Sequence, residues 1–409
     1  MSTWCLGAMR SAAAAIAIGA MALPSASAQT GQPIRIGLSL ALTGAGAAPS
    51  KVINTALEMW RDDVNAKGGV LGRPVELVVY DDQSTPANVP AIYTKLITLD
   101  KVDLLLGPYG TNFVAPAMPA IMAHNKMTIS FTAIGINDKF KYDKYFSMVS
   151  VGPDGVHAFS RGFFEIAMAQ KPQPETVAIL AADAEFARTA ADGARDEVKK
   201  HRLKLVYDQS YPPQTTDFSA VMRAVRAANP DLVWIGAYPP DNVGIIRAAD
   251  EIGLSPKMFG GAMIGMLVTP LKVQLGPLAN GLLIGENFTA AQAQIIPGAA
   301  GIDPLGFAWG PFAYSAGQVL VQAVTATKSL DHDKLAAHMH QAKFDTVAGS
   351  FSFGSDGEWA QPRQVWTQFQ NVQPNSLDQF RDGKVQPIIW PADVKTGNLI
   401  YPYADAKKK

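Results

Sequence analysis

Apolar positions along the chain alternate between short continuous runs and stretches with helical spacing. Ile34 to Leu40 is a near-continuous apolar run that predicts a buried strand, and Thr55 to Asn65 predicts a helix. Further strands are predicted at Val75 to Tyr80 and Val102 to Leu106, with a helix at Ala91 to Leu99 between them. Strands that alternate with helices favour a parallel sheet, so this part of the chain is predicted to form an α/β unit.

A second α/β unit is predicted after the first. Its predicted elements are helix Val156 to Ala169, strand Thr176 to Ala181, helix Thr189 to Lys200, strand Leu203 to Tyr207, helix Phe218 to Ala228, strand Leu232 to Ile235, helix Val243 to Ile252, strand Lys257 to Gly260 and strand Gly281 to Glu286. Ala290 to Pro304 is predicted to be a surface loop and Phe307 to Thr327 a long helix. Phe351 to Phe353 and Val365 to Phe369 predict a closing β-hairpin. No low-complexity linker separates the units, which favours two lobes joined by several strands.

Residues 1–28 have the pattern of a secretory signal peptide. Arg10 precedes the apolar run Ser11 to Leu23, and Ala26-Ser27-Ala28 supplies small residues before the expected cleavage point. The apolar run is shorter than the roughly 18 to 20 residues that span a bilayer. We therefore expect a cleaved signal peptide and a periplasmic protein that begins at Gln29.

Composition narrows the classes of function. The only cysteine, Cys5, lies in the predicted signal peptide, so the mature chain would have neither a disulfide nor a lipid-bearing cysteine. Lysine plus arginine and aspartate plus glutamate both total 35, and loss of Arg10 leaves 34 basic residues against 35 acidic ones. This balance does not indicate a nucleic-acid partner, which generally requires a basic face. A chain of 409 residues predicts about two domains.

Motifs for cofactors, metals and catalysis are weak. Gly44-Ala45-Gly46 follows the first strand as in dinucleotide-binding loops, but Pro49 stands where the third glycine belongs. His338 and His340 are two residues apart, so on a helix they point to opposite sides. A metal site that joins them to His332 is therefore less favoured than a solvated helix face. No serine-hydrolase elbow is present, and we expect no catalytic residue, no metal and no cofactor.

The segment Gly107 to Asn112 is the strongest candidate for ligand chemistry. It follows a buried strand and opens a helix, where backbone N–H groups and the helix dipole favour a carboxylate. The Thr111 hydroxyl could add a donor, although an ordinary N-cap explains the segment equally well. Phe186 and Tyr238 stand just past strands of the second unit, where ligands meet open α/β sheets, or they simply cover the sheet edge.

Eight short segments in chain order carry a resemblance to a known family: Ile34 to Gly37, Leu42 to Gly44, Asn65 to Arg73, Tyr80 to Asp82, Val102 to Pro108, Thr216 to Ser219, Gly236 to Tyr238 and Phe353 to Gly357. Taken together, these segments resemble the type I periplasmic binding proteins of ABC transporters, specifically the leucine/isoleucine/valine-binding family. The resemblance implies an α/β fold of two Rossmann-like lobes, joined by three crossover strands, that close on a ligand. It also implies that lobe 1 spans residues 34–152 and about 287–346, and lobe 2 spans residues 153–286 and about 347–409.

The resemblance implies a ligand site in the cleft. Thr111 matches the position that holds the ligand carboxylate, and Thr132 matches a position that makes backbone contacts. Phe186 matches an aromatic lid position, and Tyr238 matches a tyrosine of the second lobe. The expected ligand-binding residues are Tyr109, Gly110, Thr111, Thr132, Ile134, Phe186, Tyr238 and Ala262.

Three positions depart from the family pattern. Pro49 replaces a cleft aromatic residue, Ile134 replaces a ligand-contacting threonine, and Ala262 replaces the acid that pairs with the ligand's α-ammonium group. A buried cation without a counter-charge is costly, so the last change favours a ligand that has no α-ammonium group. Replacement acids could restore the missing charge, and the candidates are Asp183, Glu185 and Asp241.

The expected function is extracytoplasmic solute binding by a monomer that docks on an inner-membrane ABC permease. The expected ligand is an amino acid, an amide, or an aliphatic or aromatic carboxylate. Classical branched-chain amino-acid uptake and a sensory or regulatory module of the same fold stay open. An exported dehydrogenase rests only on the weak glycine loop.

Overall fold

The computed structural model describes residues 31–213, 215–287, 309–381 and 383–408. The predicted signal peptide and the loop predicted over residues 290–304 lie outside the described residues. Within these ranges, every helix is too short or too polar to cross a membrane. The strands of the described residues form a five-stranded, a seven-stranded and a two-stranded sheet.

The first sheet is all parallel and confirms the α/β unit predicted from the first part of the chain. Its strands are β1 (Ile34–Leu40), β2 (Val75–Asp81), β3 (Leu104–Leu106), β4 (Thr128–Ser130) and β5 (Tyr145–Ser147). The intervening helices are α1 (Ala47–Ala66), α2 (Val89–Thr98), α3 (Thr111–Ala123) and α4 (Ile136–Phe140). The strand order β2-β1-β3-β4-β5 reverses direction at β1. Ligands of open α/β sheets bind at such reversals, outside the carboxyl ends of the strands.

The second unit repeats this alternation. Its parallel strands are β6 (Thr176–Ala182), β7 (Lys204–Tyr211), β8 (Leu232–Ala237), β9 (Met258–Met263) and β10 (Leu282–Glu286). Its helices are α5 (Gly155–Ala158), α6 (Arg161–Met168), α7 (Glu185–Lys200), α8 (Ser219–Ala227), α9 (Pro239–Glu251) and α10 (Thr269–Leu275).

The chain then returns to the first sheet and finally to the second. The returning elements are α11 (Gly310–Thr327), α12 (His332–Met339), β11 (Lys343–Thr346) and β12 (Gly349–Ser352). The elements that complete the second sheet are β13 (Val365–Gln368) and β14 (Ile388–Trp390), followed by α13 (Tyr403–Lys407). The order of the second sheet is β14-β13-β10-β9-β8-β6-β7, with β13 antiparallel to β10 and to β14.

The returning segment divides its aromatic residues between the two cores. Phe351, Phe353 and Trp359 pack in the apolar core of the first sheet, whereas Trp366 packs in the core of the second. The first core therefore includes side chains of this segment as far along the chain as Trp359. In the described part of the chain, the backbone passes from the first sheet to the second within residues 148–160 and again within residues 353–364. It leaves the second sheet after β10 at Asn287 and packs against the first sheet again from α11, which makes three crossings between the described elements.

The predicted closing hairpin is wrong. β12 pairs antiparallel with β11, which places Phe344 opposite Phe351, and β13 joins the other sheet. A single bridge between Phe353 and Trp359 closes the glycine turn that suggested a hairpin. The rings of Phe351 and Trp359 stack with their centroids 3.9 Å apart, so aromatic packing in the first core determines where this segment lies.

Candidate functional site

Loops at the carboxyl ends of both sheets meet at one junction. The first sheet contributes residues 109–112 after β3 and residues 132–135 after β4, and the second contributes Phe186 at the start of α7 and Tyr238 after β8. The side-chain oxygen of Asn112 accepts hydrogen bonds from the Phe186 N–H and the Tyr238 hydroxyl, both at 2.9 Å. The two lobes are therefore in direct contact at this junction.

Thr111 stands at a sharp turn from β3 into α3. Gly110 has a φ of 79°, a backbone conformation that glycine adopts far more readily than other residues. Thr111 is 2% exposed, and its Oγ1 accepts from the Ile134 N–H at 3.1 Å. A hydroxyl that accepts one bond still has its own proton to donate. The N–H groups of Phe113 and Val114 bond to the Gly110 carbonyl, so the helix offers an anion its first amides, those of Thr111 and Asn112.

Thr132 provides a second hydroxyl beside this turn. Its Oγ1 is buried and has no hydrogen-bond partner among the described residues. A buried polar atom left unpaired costs about 1–3 kcal/mol, so a ligand atom that bonds to it would recover part of that cost. The sequence indicated only backbone contacts at this position.

Aromatic rings form the apolar part of the junction. Phe186 is 6% exposed and meets Phe159 and Tyr238 edge to face, at centroid distances of 5.4 and 6.0 Å. Tyr109 meets Trp309 edge to face at 6.0 Å. Burial raises the pKa of both Tyr109 and Tyr238, and the nearness of Tyr238 raises that of Tyr109 further. Both phenols are therefore neutral at physiological pH.

Ile134 and Ala262 contribute hydrocarbon. Each is 1% exposed and belongs to the apolar core of the second sheet. Ala262 lies in β9 directly beside Gly236 of β8. Gly236 precedes Tyr238 by two residues in the sequence. The methyl group of Ala262 offers nothing that could pair with an ammonium group. The Ile134 N–H donates to Thr111 Oγ1, which joins the backbone after β4 to the start of α3.

The three replacement acids are already engaged by protein groups. Asp183 bonds to Arg188 at 2.8 Å, and Asp241 accepts from the Tyr211 hydroxyl at 2.8 Å and from the Tyr238 N–H at 3.4 Å. Burial raises the pKa of Asp241.

Glu185 bonds to Lys139 at 3.1 Å and to Arg188 at 3.3 Å. Although burial acts to raise the pKa of Glu185, hydrogen bonds and charge from Lys139 and Arg188 lower it. An ammonium ligand would therefore have to compete with existing partners at each of the three acids.

The glycine loop after β1 is tied down by the neighbouring β2–α2 turn. The Gly46 N–H donates to Ser84 Oγ at 3.0 Å, and the Leu42 N–H donates to Asp81 at 3.0 Å. The Thr43 hydroxyl also donates to Asp81, at 2.7 Å. A pyrophosphate cradle needs free amides in this loop, so these contacts favour a structural role.

The histidines do not form the solvated helix face that the sequence suggested. His332 accepts from the Met127 N–H at 3.0 Å, and His340 lies between the carbonyl oxygens of Asp143 and Gly354, at 2.7 and 3.0 Å. In the part of the chain that the structure describes, no group of three or more potential ligand side chains could hold a metal ion.

The three crossings between the sheets adjoin one another at a second point. The Ser150 hydroxyl donates to the Asn287 carbonyl at 3.1 Å, and the Arg363 N–H donates to the Ser150 carbonyl at 2.8 Å. One residue from each crossing therefore takes part in a continuous set of hydrogen bonds, which is suited to act as a hinge.

Sequence reasoning missed four contributors to the junction. Asn112 was visible only as a possible helix cap, and Trp309 was hidden in a long apolar helix. Lys139 and Arg188 carry the charges that neutralise Glu185 and Asp183. Local pattern gives no signal for such pairs because the partners are 46 residues apart in the case of Lys139 and Glu185.

Comparisons with known proteins agree with this architecture. A family model described as periplasmic binding protein matches residues 33–372. The Leucine-, isoleucine-, valine-, threonine-, and alanine-binding protein of Pseudomonas aeruginosa is 25% identical over 362 residues, covering 84% of this chain and 91% of that protein.

Two solved structures have a similar fold. A branched-chain amino acid transporter substrate-binding protein from Streptococcus pneumoniae, in complex with isoleucine, is 20% identical with a TM-score of 0.68, covering 88% of this chain and 100% of that chain. A solute-binding protein of an ABC transporter from R. palustris, in complex with 4-hydroxybenzoate, is 18% identical with a TM-score of 0.72, covering 87% of this chain and 95% of that chain.

Proposed function

Because the chain belongs to the periplasmic binding protein family, we propose that it is an extracytoplasmic solute-binding protein of an ABC transporter. The family consists of substrate-binding transport proteins rather than enzymes. The observation that supports this function best is the junction itself, where Asn112, the neighbour of Thr111 in one lobe, bonds to Phe186 and Tyr238 of the other. Hinge closure on a ligand creates a shape that an inner-membrane permease can distinguish from the open form.

The proposed molecule has two lobes and is exported. The first lobe comprises residues 34–152 and returns through β12 to about residue 359, and the second comprises residues 153–286 with the C-terminal segment. Residues 1–28 act as a signal peptide that is removed on export to the periplasm. The mass of the protein isolated from the periplasm tests this, since uncleaved or acylated protein would contradict it.

The proposed ligand is a small carboxylate, or an amide, without an α-ammonium group. Thr111, the first amides of α3 and the Thr132 hydroxyl supply donors to an anionic or amide head group. Ala262 lacks a charge to balance an ammonium group, and the acids that could replace it are paired. The rings of Tyr109 and Phe186 favour an apolar ligand body, and an aromatic acid fits this combination.

Branched-chain amino-acid uptake is the second candidate. It is favoured by the relative from Pseudomonas aeruginosa, which is named for binding leucine and other amino acids. The protein from R. palustris, which holds 4-hydroxybenzoate, favours the aromatic acid instead. Amino acids and benzoates share the carboxylate, so the two candidates differ in whether an ammonium group must be balanced.

Calorimetry and thermal shift with the mature protein distinguish these ligands. We expect benzoate or 4-hydroxybenzoate to bind and to raise Tm, because any ligand that binds only the native state stabilises it. Leucine, isoleucine and valine should bind at least tenfold more weakly. Tight binding of leucine together with no detectable binding of benzoates would assign the protein to amino-acid uptake.

Variants at Thr111 test the carboxylate position. Thr111→Val keeps the shape of the side chain but removes its hydroxyl, and loss of a hydrogen bond to a charged group should weaken binding about tenfold to a hundredfold. Thr111→Ser keeps the hydroxyl and is the matched control, with affinity close to that of the wild type. Equal affinities of the two variants would place the carboxylate elsewhere.

A further inference from the structure

Asn112 links the two lobes through protein groups alone. It is the second residue of α3 in the first lobe, and both of its hydrogen-bond donors belong to the second lobe. Phe186 N–H and the Tyr238 hydroxyl each donate to the same Oδ1 at 2.9 Å. Opening the cleft must break both bonds together.

The bond to Phe186 completes a helix of the other lobe. α7 begins at Glu185, and its N-cap residue, Ala184, has no side chain that could accept a hydrogen bond from the first turn. Unpaired N–H groups at a helix start are stabilised by an acceptor side chain, of which asparagine is among the best. Asn112 therefore caps α7 from the opposite lobe, in place of a cap within the helix's own chain segment.

Two further contacts adjoin this cap. Lys139 on α4 bonds to Glu185 on α7 at 3.1 Å, across the same boundary. A Cβ at Gly135 would lie 3.0 Å from a methyl carbon of Thr189 on α7, so the backbone after β4 lies directly against that helix. The salt bridge is solvent-accessible and contributes little at physiological salt, which leaves Asn112 as the stronger of these two polar contacts across the cleft.

We propose that Asn112 is a closure latch that caps α7 only when the lobes are together and so maintains a closed population in the ligand-free protein. The proposal rests on the hinged binding function proposed above. The latch also occupies the Tyr238 hydroxyl, so Tyr238 presents its ring rather than its phenol to a ligand. A ligand that binds only the closed form gains apparent affinity in proportion to the closed fraction, whatever its own chemistry.

Distances between spin labels in the ligand-free protein test the latch without any knowledge of the ligand. The mature chain has no cysteine, so Lys51→Cys on α1 and Arg223→Cys on α8 give one exposed labelling position on each lobe. Asn112→Ala should lower the ratio of closed to open molecules about tenfold, since two net hydrogen bonds are lost. Tyr238→Phe removes one of the two bonds and should lower the ratio about threefold.

Two controls separate the latch from a general loss of structure. Asn112→Asp keeps an acceptor at the same place and should retain the closed population. Asp331 accepts from the Lys334 N–H at 2.9 Å and caps α12 within the first lobe. Asp331→Ala therefore removes an N-cap of the same kind, and it should lower the free energy of unfolding but leave the label distances unchanged.

The same variants predict a pattern of ligand affinities. Asn112→Ala should weaken every ligand by one common factor and keep their order, whereas Thr111→Val should affect carboxylates most. Unchanged label distances in folded Asn112→Ala and in Tyr238→Phe would overturn the latch, and they would leave solute binding itself untouched. Failure of all tested ligands to bind, with the distance shift present, would instead count against the proposed ligand class and support the latch.

Discussion

At the scale of single residues, the adjacent residues Thr111 and Asn112 have different roles in the cleft. The Thr111 hydroxyl oxygen accepts a hydrogen bond from the Ile134 N–H within the first lobe, while Asn112 contacts the second lobe. The sequence predicted Thr111 from the pattern of strand, glycine turn and helix. It could not predict the role of Asn112, because the N–H group that Asn112 caps belongs to Phe186, 74 residues further along the chain.

His332 provides a residue-scale prediction on pH. Burial, together with the positive charge of Lys126 whose Nζ lies 3.2 Å from Nε2, lowers the pKa of His332 to about 4. In the unfolded chain, His332 becomes protonated below about pH 6.5. In the folded protein it stays neutral until the pH falls to about 4. The contribution of neutral His332 to the free energy of unfolding is therefore complete above pH 6.5, and it decreases as the pH falls from 6.5 to 4.

His332→Asn keeps an acceptor near the Met127 N–H and removes the titration. Urea denaturation between pH 4 and 6.5 should then show a slope of stability against pH that is smaller by up to about 1 kcal/mol per pH unit. Lys126→Met should reduce the slope in the same direction, since it removes one cause of the shift. The negative charges of Asp331 and Asp333 raise the pKa of His332, and both residues are unchanged in the two variants. Parallel curves for wild type and His332→Asn would contradict the prediction.

At the scale of elements, strands were predicted more accurately than helix starts. β1 matches its predicted bounds because it is buried along nearly its whole length, and such strands read as continuous apolar runs. α1 begins at Ala47, eight residues before its predicted start at Thr55. α3, which begins at Thr111, continues through Pro116 and Pro119. Apolar packing against α2 in the first lobe outweighs the poor helix propensity of these prolines.

The wrong hairpin has a similar cause. Alternation shows that residues 351–353 and 365–369 are strands or extended segments, but it does not show which strands pair with them. Tertiary packing of Phe351 and Trp359 makes that choice. The same holds for the site. The sequence pattern predicted a candidate ligand segment after β3, but it could not predict which residues of the other lobe that segment contacts.

Packing of α11 on α1 gives an element-scale prediction. A Cβ on Gly317 would lie 2.2 Å from the ring of Trp60, which is 1% exposed and packs in the core of the first lobe. Gly317→Ala should therefore lower the free energy of unfolding by about 1–3 kcal/mol, despite the better helix propensity of alanine. Chemical denaturation measures this change.

Gly310 is the matched control on the same helix. A Cβ there would meet only a methyl carbon of Val52, at 3.6 Å, which is an ordinary contact. Gly310→Ala should be neutral or slightly stabilising. Similar stabilities of the two variants would show that α11 can shift away from α1, and that the tight approach is not required.

At the scale of the whole molecule, the crossings between the lobes would allow the cleft to open, whereas the contacts across the cleft favour the closed form. Ser150 joins the crossings at Asn287 and Arg363, so the lobes can rotate about a region that remains hydrogen-bonded. Contacts across the cleft, through Asn112 and Glu185, then determine how often they are closed. Neither property belongs to one lobe alone, which explains why a reading of local sequence could predict two lobes but not their balance.

Small-angle scattering makes this balance a prediction for the whole molecule. A ligand that binds between the lobes should compact the mature protein, because it adds contacts that exist only in the closed form. The latch makes the expected change in wild type small, since part of the ligand-free population is already closed. Asn112→Ala should start from a larger radius of gyration and reach the same liganded value, so its change on saturation should exceed that of the wild type. Identical scattering with and without a proven ligand, in both proteins, would show that closure is not the signal that a permease could recognise.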